Sequence, residues 1–366
     1  MVTSLSRTLR YARTWRTGQD DVVQRELVLD RDGMAIPATL MRPRISASPL
    51  PAWVVMHGIT YAGRTHAQLV RFGRAVASTG AAVIIPEVPE WRQLDLAPHL
   101  AAPTIRSAID FLRTSPDVRQ APVGLVGFSF GAPHTVASAG CPMLRADIAG
   151  AVAFGGYCDL AHTIRFMMTG RHEHNGRTLS LRPDPYGRWI VAANYLTEAA
   201  GYEGAVDVAN SLRRLATLAG DIGAPAWSSQ YDRAKVQIGE RLSPDCRELF
   251  NLIAPPSDRE PDPEEGCKLA SLLAEGGKRA HPQMDPSEAL AQVTSPVHVL
   301  HGRFDHLIPF SEGLRLREAL PSQSESYATV TRLFGHSAQD PLPSPVQAVR
   351  EVPLLFGALN RIFRMV

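Results

Sequence analysis

Lysine is almost missing from this 366-residue chain, present only at Lys235, Lys268 and Lys278. Arginine carries nearly all the positive charge, and 38 basic side chains against 36 acidic ones leave a net charge of +2. A balance that even provides no broad basic surface, so neither nucleic acid nor an anionic membrane is expected as a partner. Cysteine is scarce as well. Cys141, Cys158, Cys246 and Cys267 follow no zinc or redox spacing, and are too few for a disulfide scaffold. No apolar run approaches the roughly 18 residues that a membrane-spanning helix needs. The N-terminus lacks an apolar signal-peptide core. It carries Arg7, Arg10, Arg13 and Arg16 with no acid before Asp20, read here as a basic leader helix lying on the domain rather than a transit peptide. A cytoplasmic protein is the expectation. There is no internal repeat, no low-complexity tract and no glycine-rich phosphate loop.

What the chain does have is apolar residues, 45% of the total, enough for a sizeable core. They fall in a rhythm. Residues 22–29 and 34–41 flank Asp30-Arg31-Asp32-Gly33 and read as a hairpin. Short continuous apolar runs follow at 52–56, 81–85, 122–126 and 148–154, each suited to a strand buried on both faces. Amphipathic helical patterns separate them, at 66–79 and 97–113. This alternation predicts an α/β fold with a mostly parallel sheet and helices on both faces. The rhythm stops near Tyr157. Helical patterns at 190–200 and 205–218 and an acidic, proline-rich loop at 255–266 follow. Strand and helix then resume at 296–300, 310–320, 327–333 and 345–363. The expected division is a core of 1–156 and 291–366, interrupted by a mostly helical insertion of 157–290.

The strand at 122–126 runs straight into Gly127-Phe128-Ser129-Phe130-Gly131. A G-x-S-x-G between strand and helix is a turn too tight for side chains two residues either side of the serine. It holds the serine in a strained conformation with its hydroxyl exposed. A serine hydroxyl is a poor nucleophile at neutral pH and needs a base, and the base needs an orienting group. His336, in Gly335-His336-Ser337, lies just past the last expected strand. Asp305, in His301-Gly302-Arg303-Phe304-Asp305-His306-Leu307-Ile308-Pro309, lies just past the strand before it. Both fall at the carboxyl edge of a parallel sheet, where Ser129 also lies and where ligands bind in open α/β sheets. Acyl transfer also needs N–H donors for the developing oxyanion. Phe130, after the serine, is one expected donor. Ile59, in the turn His57-Gly58-Ile59-Thr60, is the other.

In its leading hairpin, His-Gly turn, elbow, H-G-x-x-D-x-x-I-P segment and late G-H-S, the chain resembles the α/β-hydrolase superfamily. The resemblance covers nearly everything outside the insertion, and the order Ser129, Asp305, His336 matches that family's nucleophile, acid and histidine. It implies Ser129 as nucleophile, His336 as general base and then acid, and Asp305 as the group that holds the imidazole. It also implies Ile59 and Phe130 as oxyanion donors, and the insertion as a cap. The serine sets the chain apart from the aspartate-dependent dehalogenase and cysteine-dependent dienelactone branches. The implied activity is hydrolysis of a small-molecule carboxylic ester through an acyl-serine, with no metal or organic cofactor. A peptidase or amidase, a thioesterase or lactonase, and a non-catalytic ligand-binding relative remain as alternatives.

Several other residues carry two readings. Asp159 follows the strand at 148–154, where some members of the family place their acid. His57 serves either in catalysis or in shaping the oxyanion turn by hydrogen bonding. His301 and His306 flank Asp305 as structural residues. Tyr61 offers either a phenolic donor to the oxyanion or a packed rim. Phe166, Met167 and Met168 either line an acyl pocket, as adaptable apolar side chains can, or pack helices together. Glu87 and Glu90 either face the cleft or pair with nearby arginines. His172-Glu173-His174 suggests a metal pair but lacks an evident third ligand, and is read as a solvated loop, so no metal site is expected.

Overall fold

The computed structural model describes residues 3–46, 49–333 and 345–366. Among the described residues eight strands form one sheet. They are β1 (Val22–Arg31), β2 (Met34–Pro43), β3 (Ala52–Met56), β4 (Ala82–Pro86), β5 (Val123–Phe128) and β6 (Ile148–Phe154), then, past two strands of the insertion, β9 (Val297–Gly302) and β10 (Ser326–Thr331). The sheet order is β1-β2-β4-β3-β5-β6-β9-β10. The β1–β2 hairpin joins β4 in antiparallel fashion, and every later pair is parallel. Register aligns the carboxyl ends: Met56 pairs with Gly127, Phe128 with Phe154, Phe154 with Leu300, and Thr331 with Gly302.

The inner strands β3 and β4 are apolar and buried throughout because both faces of the sheet are covered there. Side chains alternate between the faces. Trp53 and Val55 join Val83, Ile85, Val126 and Val152 in one cluster; Val54 and Met56 join Ile84, Leu125 and Ala151 in the other. The first face packs against α1 (Ser4–Thr17), α2 (Ala67–Ser78) and the last helix, α14 (Pro345–Ile362). The leader is helical, as expected, and it lies on the domain. Thr8, Tyr11 and Thr14 face inward at one-turn spacing, and the Tyr11 ring meets Phe72 at 6.0 Å and Phe363 at 5.7 Å.

The second face carries the short α3 (Pro89–Arg92), α4 (Ala101–Thr114) and α5 (Gly131–Ser138). Its apolar cluster runs without a break from Val54 and Leu125 through Ile105 and Val136 into the insertion, at Leu160, Trp189, Leu212 and Phe250. The insertion holds α6 (Leu160–Thr169), α7 (Pro185–Tyr195), α8 (Val206–Ile222), α9 (Asp232–Gly239), α10 (Pro244–Ile253), α11 (Pro263–Ala280) and α12 (Ser287–Leu290). After β9 comes α13 (Phe310–Glu318).

Two local readings need correction. The proline-rich loop ends sooner than expected. Asp262 accepts from the amides of Glu264 (2.9 Å) and Glu265 (3.0 Å), with Pro263 in the first turn, so α11 begins there. The segment around His172-Glu173-His174 is a strand rather than a loop. β7 (Arg171–His174) pairs with β8 (Arg177–Ser180) through Asn175-Gly176. Both turn residues have positive φ, 50° and 70°, as a two-residue hairpin turn requires.

Candidate active site

Ser129 stands between the end of β5 and the start of α5 with φ at 52°. That left-handed conformation strains a non-glycine residue, and such strain persists only when the surroundings enforce it. Here they do. The Ser129 amide donates to the Phe154 carbonyl of β6 (2.8 Å), and its own carbonyl accepts from Ala132 (3.0 Å) as the helix starts. The flanking glycines are set by contact. A Cβ on Gly127 would lie 2.5 Å from Thr135 Oγ1, and one on Gly131 would lie 2.3 Å from the His57 carbonyl oxygen.

The loop after β3 presses against the serine. A Cβ on Gly58 would fall 2.9 Å from Ser129 Cβ and 3.5 Å from its Oγ. Ile59 follows directly and packs, half-buried, on the main core. Phe130 is the N-cap of α5, so its amide has no partner inside the helix. Its ring is buried edge-on against Trp91 at 5.2 Å, which fixes this turn. Gly58→Ala is therefore expected to lower kcat by about 10²-fold while the protein stays folded, because misplacing reacting groups by about an ångström costs that much. Steady-state kinetics beside a melting curve tests this, and unchanged kcat would contradict it.

Asp305 is fully buried just past β9. Its Oδ1 accepts from the amides of Leu307 and Ile308, both at 2.9 Å. Oδ2 lies 3.4 Å from His301 Nε2, which donates to the Ile308 carbonyl (2.9 Å). His306 donates from Nδ1 to the Arg182 carbonyl (2.7 Å), and its own carbonyl accepts from the Asp184 amide (2.7 Å). His301 thus holds the Asp305 loop from the end of β9, and His306, within that loop, ties it to Arg182 and Asp184. His336, the expected base, lies outside the described residues.

Asp159 has other work. It caps α6 by accepting from the His162 amide (3.0 Å), and its second oxygen lies 2.9 Å from His162 Nδ1. The Asp159 and Cys158 amides donate to buried Glu312 Oε2, at 2.8 and 3.1 Å. Burial pushes the Glu312 carboxyl above its ordinary pKa despite those amides and Arg315. Glu312 thus ties α13 to the loop after β6, a role with no signal in the sequence.

His57 is buried beneath the turn that follows β3. Its Nδ1 donates to the Gly58 carbonyl (2.7 Å). Its Nε2 lies 2.9 Å from the Val88 amide and 3.0 Å from Glu87 Oε1. Glu90 pairs with Arg31 at 2.5 Å. Tyr61 is 44% exposed, its carbonyl accepts from Arg92 (2.8 Å), and its Cβ approaches Gly220 of α8. Phe166 and Met168 are buried in packing within the insertion, against the His172 ring and Gly266 respectively. Met167 reaches further, meeting Gly187 where Leu307 of the Asp305 loop also arrives. His172 hydrogen-bonds Ser311 (3.0 Å). Among the described residues no three His, Cys, Asp or Glu side chains converge on a metal site, and no helix is long and apolar enough to cross a membrane.

An eight-stranded sheet in this order, with a serine in left-handed conformation after its fifth strand, is the α/β-hydrolase fold. No family model matches the chain. It is 40% identical over 78 residues to a "Putative proline iminopeptidase" of Mycoplasma pneumoniae (strain ATCC 29342 / M129 / Subtype 1). That stretch is 20% of this chain and spans only 24% of the relative's length. Among solved structures the chain is similar to Est1E from Butyrivibrio proteoclasticus, with a TM-score of 0.49 and 13% identity, over 93% of this chain and 97% of that one. It is also similar to a fungal esterase from Rhizomucor miehei, with a TM-score of 0.49 and 16% identity, over 98% of this chain and 90% of that one.

Proposed function

We propose that the chain is a serine hydrolase that cleaves carboxylic esters through an acyl-Ser129 intermediate. The strained Ser129, with the Gly58 backbone packed against its Cβ, is the observation that carries this reading. Ser129 Oγ attacks the ester carbonyl while His336 takes its proton and Asp305 orients the imidazole. The amides of Ile59 and Phe130 receive the charge that builds on the carbonyl oxygen. The intermediate collapses as His336 returns the proton to the leaving alcohol. A water molecule, activated by the same histidine, then releases the acid.

In this reading residues 157–290 form a cap over the carboxyl edge. Its contacts on both sides of Ser129 support that. On one side it holds the acid loop through Arg182 and Asp184. On the other, Asn194 bonds Leu94 and Leu96, Tyr195 bonds the Leu96 carbonyl, and Arg213 pairs with Asp95 at 2.7 Å. A cap so held excludes water from the acylation step.

The test is hydrolysis of p-nitrophenyl esters from acetate to palmitate beside matching p-nitroanilides. Ester turnover with a chain-length optimum is expected. Faster turnover of the anilides would replace the ester assignment with an amide one. Silence on both, with no fluorophosphonate labelling of Ser129, would overturn the hydrolase.

A further inference from the structure

Beneath the oxyanion turn lies a buried glutamate that the mechanism above does not use. Glu87 directly follows β4 and is 2% exposed. Its Oε1 lies 3.0 Å from His57 Nε2 and accepts from the Arg64 amide at 3.3 Å. Its Oε2 lies 3.7 Å from Arg64 Nε and 3.9 Å from Arg92 Nη1. The chain is shaped around this carboxylate. Gly63 has φ at 50°, and a Cβ there would sit 2.1 Å from Glu87 Oε1. Burial alone would raise the Glu87 pKa, but His57, the Arg64 amide and Arg92 outweigh it and leave it below the ordinary value.

The consequence passes through one peptide plane. His57 Nδ1 donates to the carbonyl of Gly58. That carbonyl belongs to the same planar, trans peptide as the Ile59 amide, so holding the oxygen fixes the direction of the N–H. The same glycine lies against Ser129. At the other end of the ring, Nε2 meets both the Val88 amide and Glu87 Oε1, so the ring is held at both nitrogens, and the Trp91 ring closes its face edge-on at 5.6 Å.

We infer that Glu87 is a positioning residue for the hydrolytic reaction, aiming the Ile59 oxyanion donor through His57 and the Gly58 carbonyl. The inference rests on the serine-hydrolase reading and names a further part of its site. It distinguishes Glu87 from Glu90 three residues further on, whose carboxylate is occupied by Arg31.

Glu87→Gln keeps the shape and removes the charge. It is expected to lower kcat by about 10- to 100-fold, a fraction of the loss when an oxyanion donor is removed outright, with KM within about twofold. Fluorophosphonate labelling of Ser129 should slow by the same factor. A second pair tests the relay. Asn carries a donor near the place of Nδ1, so His57→Asn should keep most of the activity that His57→Leu loses. Circular dichroism and melting curves accompany each variant, and if Glu87→Gln does not fold, the His57 pair decides. Unchanged kcat and labelling in Glu87→Gln would overturn the inference, as would equal activity in the two His57 variants. A rise in KM alone would do the same. Those outcomes leave the hydrolase standing. A wild-type protein that neither turns over esters nor labels at Ser129 would instead remove both.

Discussion

Ser129→Ala is expected to lower kcat for p-nitrophenyl esters by about 10⁴- to 10⁶-fold, the scale seen when a triad nucleophile is deleted. The variant keeps Cβ and the backbone bonds that hold the elbow, namely the Ser129 amide to Phe154 and the Ala132 amide to residue 129. Only the Oγ is lost, so the fold should survive while the acyl-enzyme route disappears. What activity remains would come from substrate binding and from the Ile59 and Phe130 amides acting on water attack. A burst of p-nitrophenol in the wild type, absent from the variant, would show the acyl-serine directly. Near-normal turnover by the variant would refute the mechanism.

Asp305→Asn is expected to lower kcat by about 10⁴-fold, the loss found when a triad acid is turned into its amide. The asparagine oxygen can still accept from Leu307 and Ile308, so the loop should keep its shape. The negative charge that orients and stabilises the imidazolium is what goes. Asp159→Ala should behave in the opposite way. It removes the cap that accepts from His162, at a cost of about 0.5–2 kcal/mol in stability, and leaves kcat within a few-fold. Kinetics and denaturant melts on both variants separate the two roles. Turnover intact in Asp305→Asn and abolished in Asp159→Ala would transfer the acid to Asp159.

The repeat of buried strand and amphipathic helix was legible because continuous apolar runs and helical stripes are local patterns. The elbow was legible because its residues stand together in one short motif, and Gly127 answers to local contacts with Thr135 and Gly131 of the helix that follows, although Gly131 itself is set by the distant His57 carbonyl. Where reading failed, a local signal was sometimes present and outweighed. Asn175-Gly176 marks a hairpin turn, but the flanking β7 and β8 are short, charged and partly exposed, with no apolar alternation to announce strands. The Asp262-Pro263 start of α11 was hidden inside a run of prolines and acids.

By itself the sequence determined the alternation of the sheet-forming strands with their helices and the serine in its turn, since each follows from residues close along the chain. The tertiary structure alone decided how distant side chains are spent. Asp159 is engaged at a helix N-terminus, while Asp305 is buried and bonded by its own loop. Phe166 and Met168 pack inward, whereas Met167 reaches the Asp305 loop at Gly187. Glu87 from one strand end meets His57 from the next, 30 residues apart in sequence and 3.0 Å apart in space. Such pairings depend on sheet order and register, which bring strand ends together across crossovers, and no periodicity within a single segment records them.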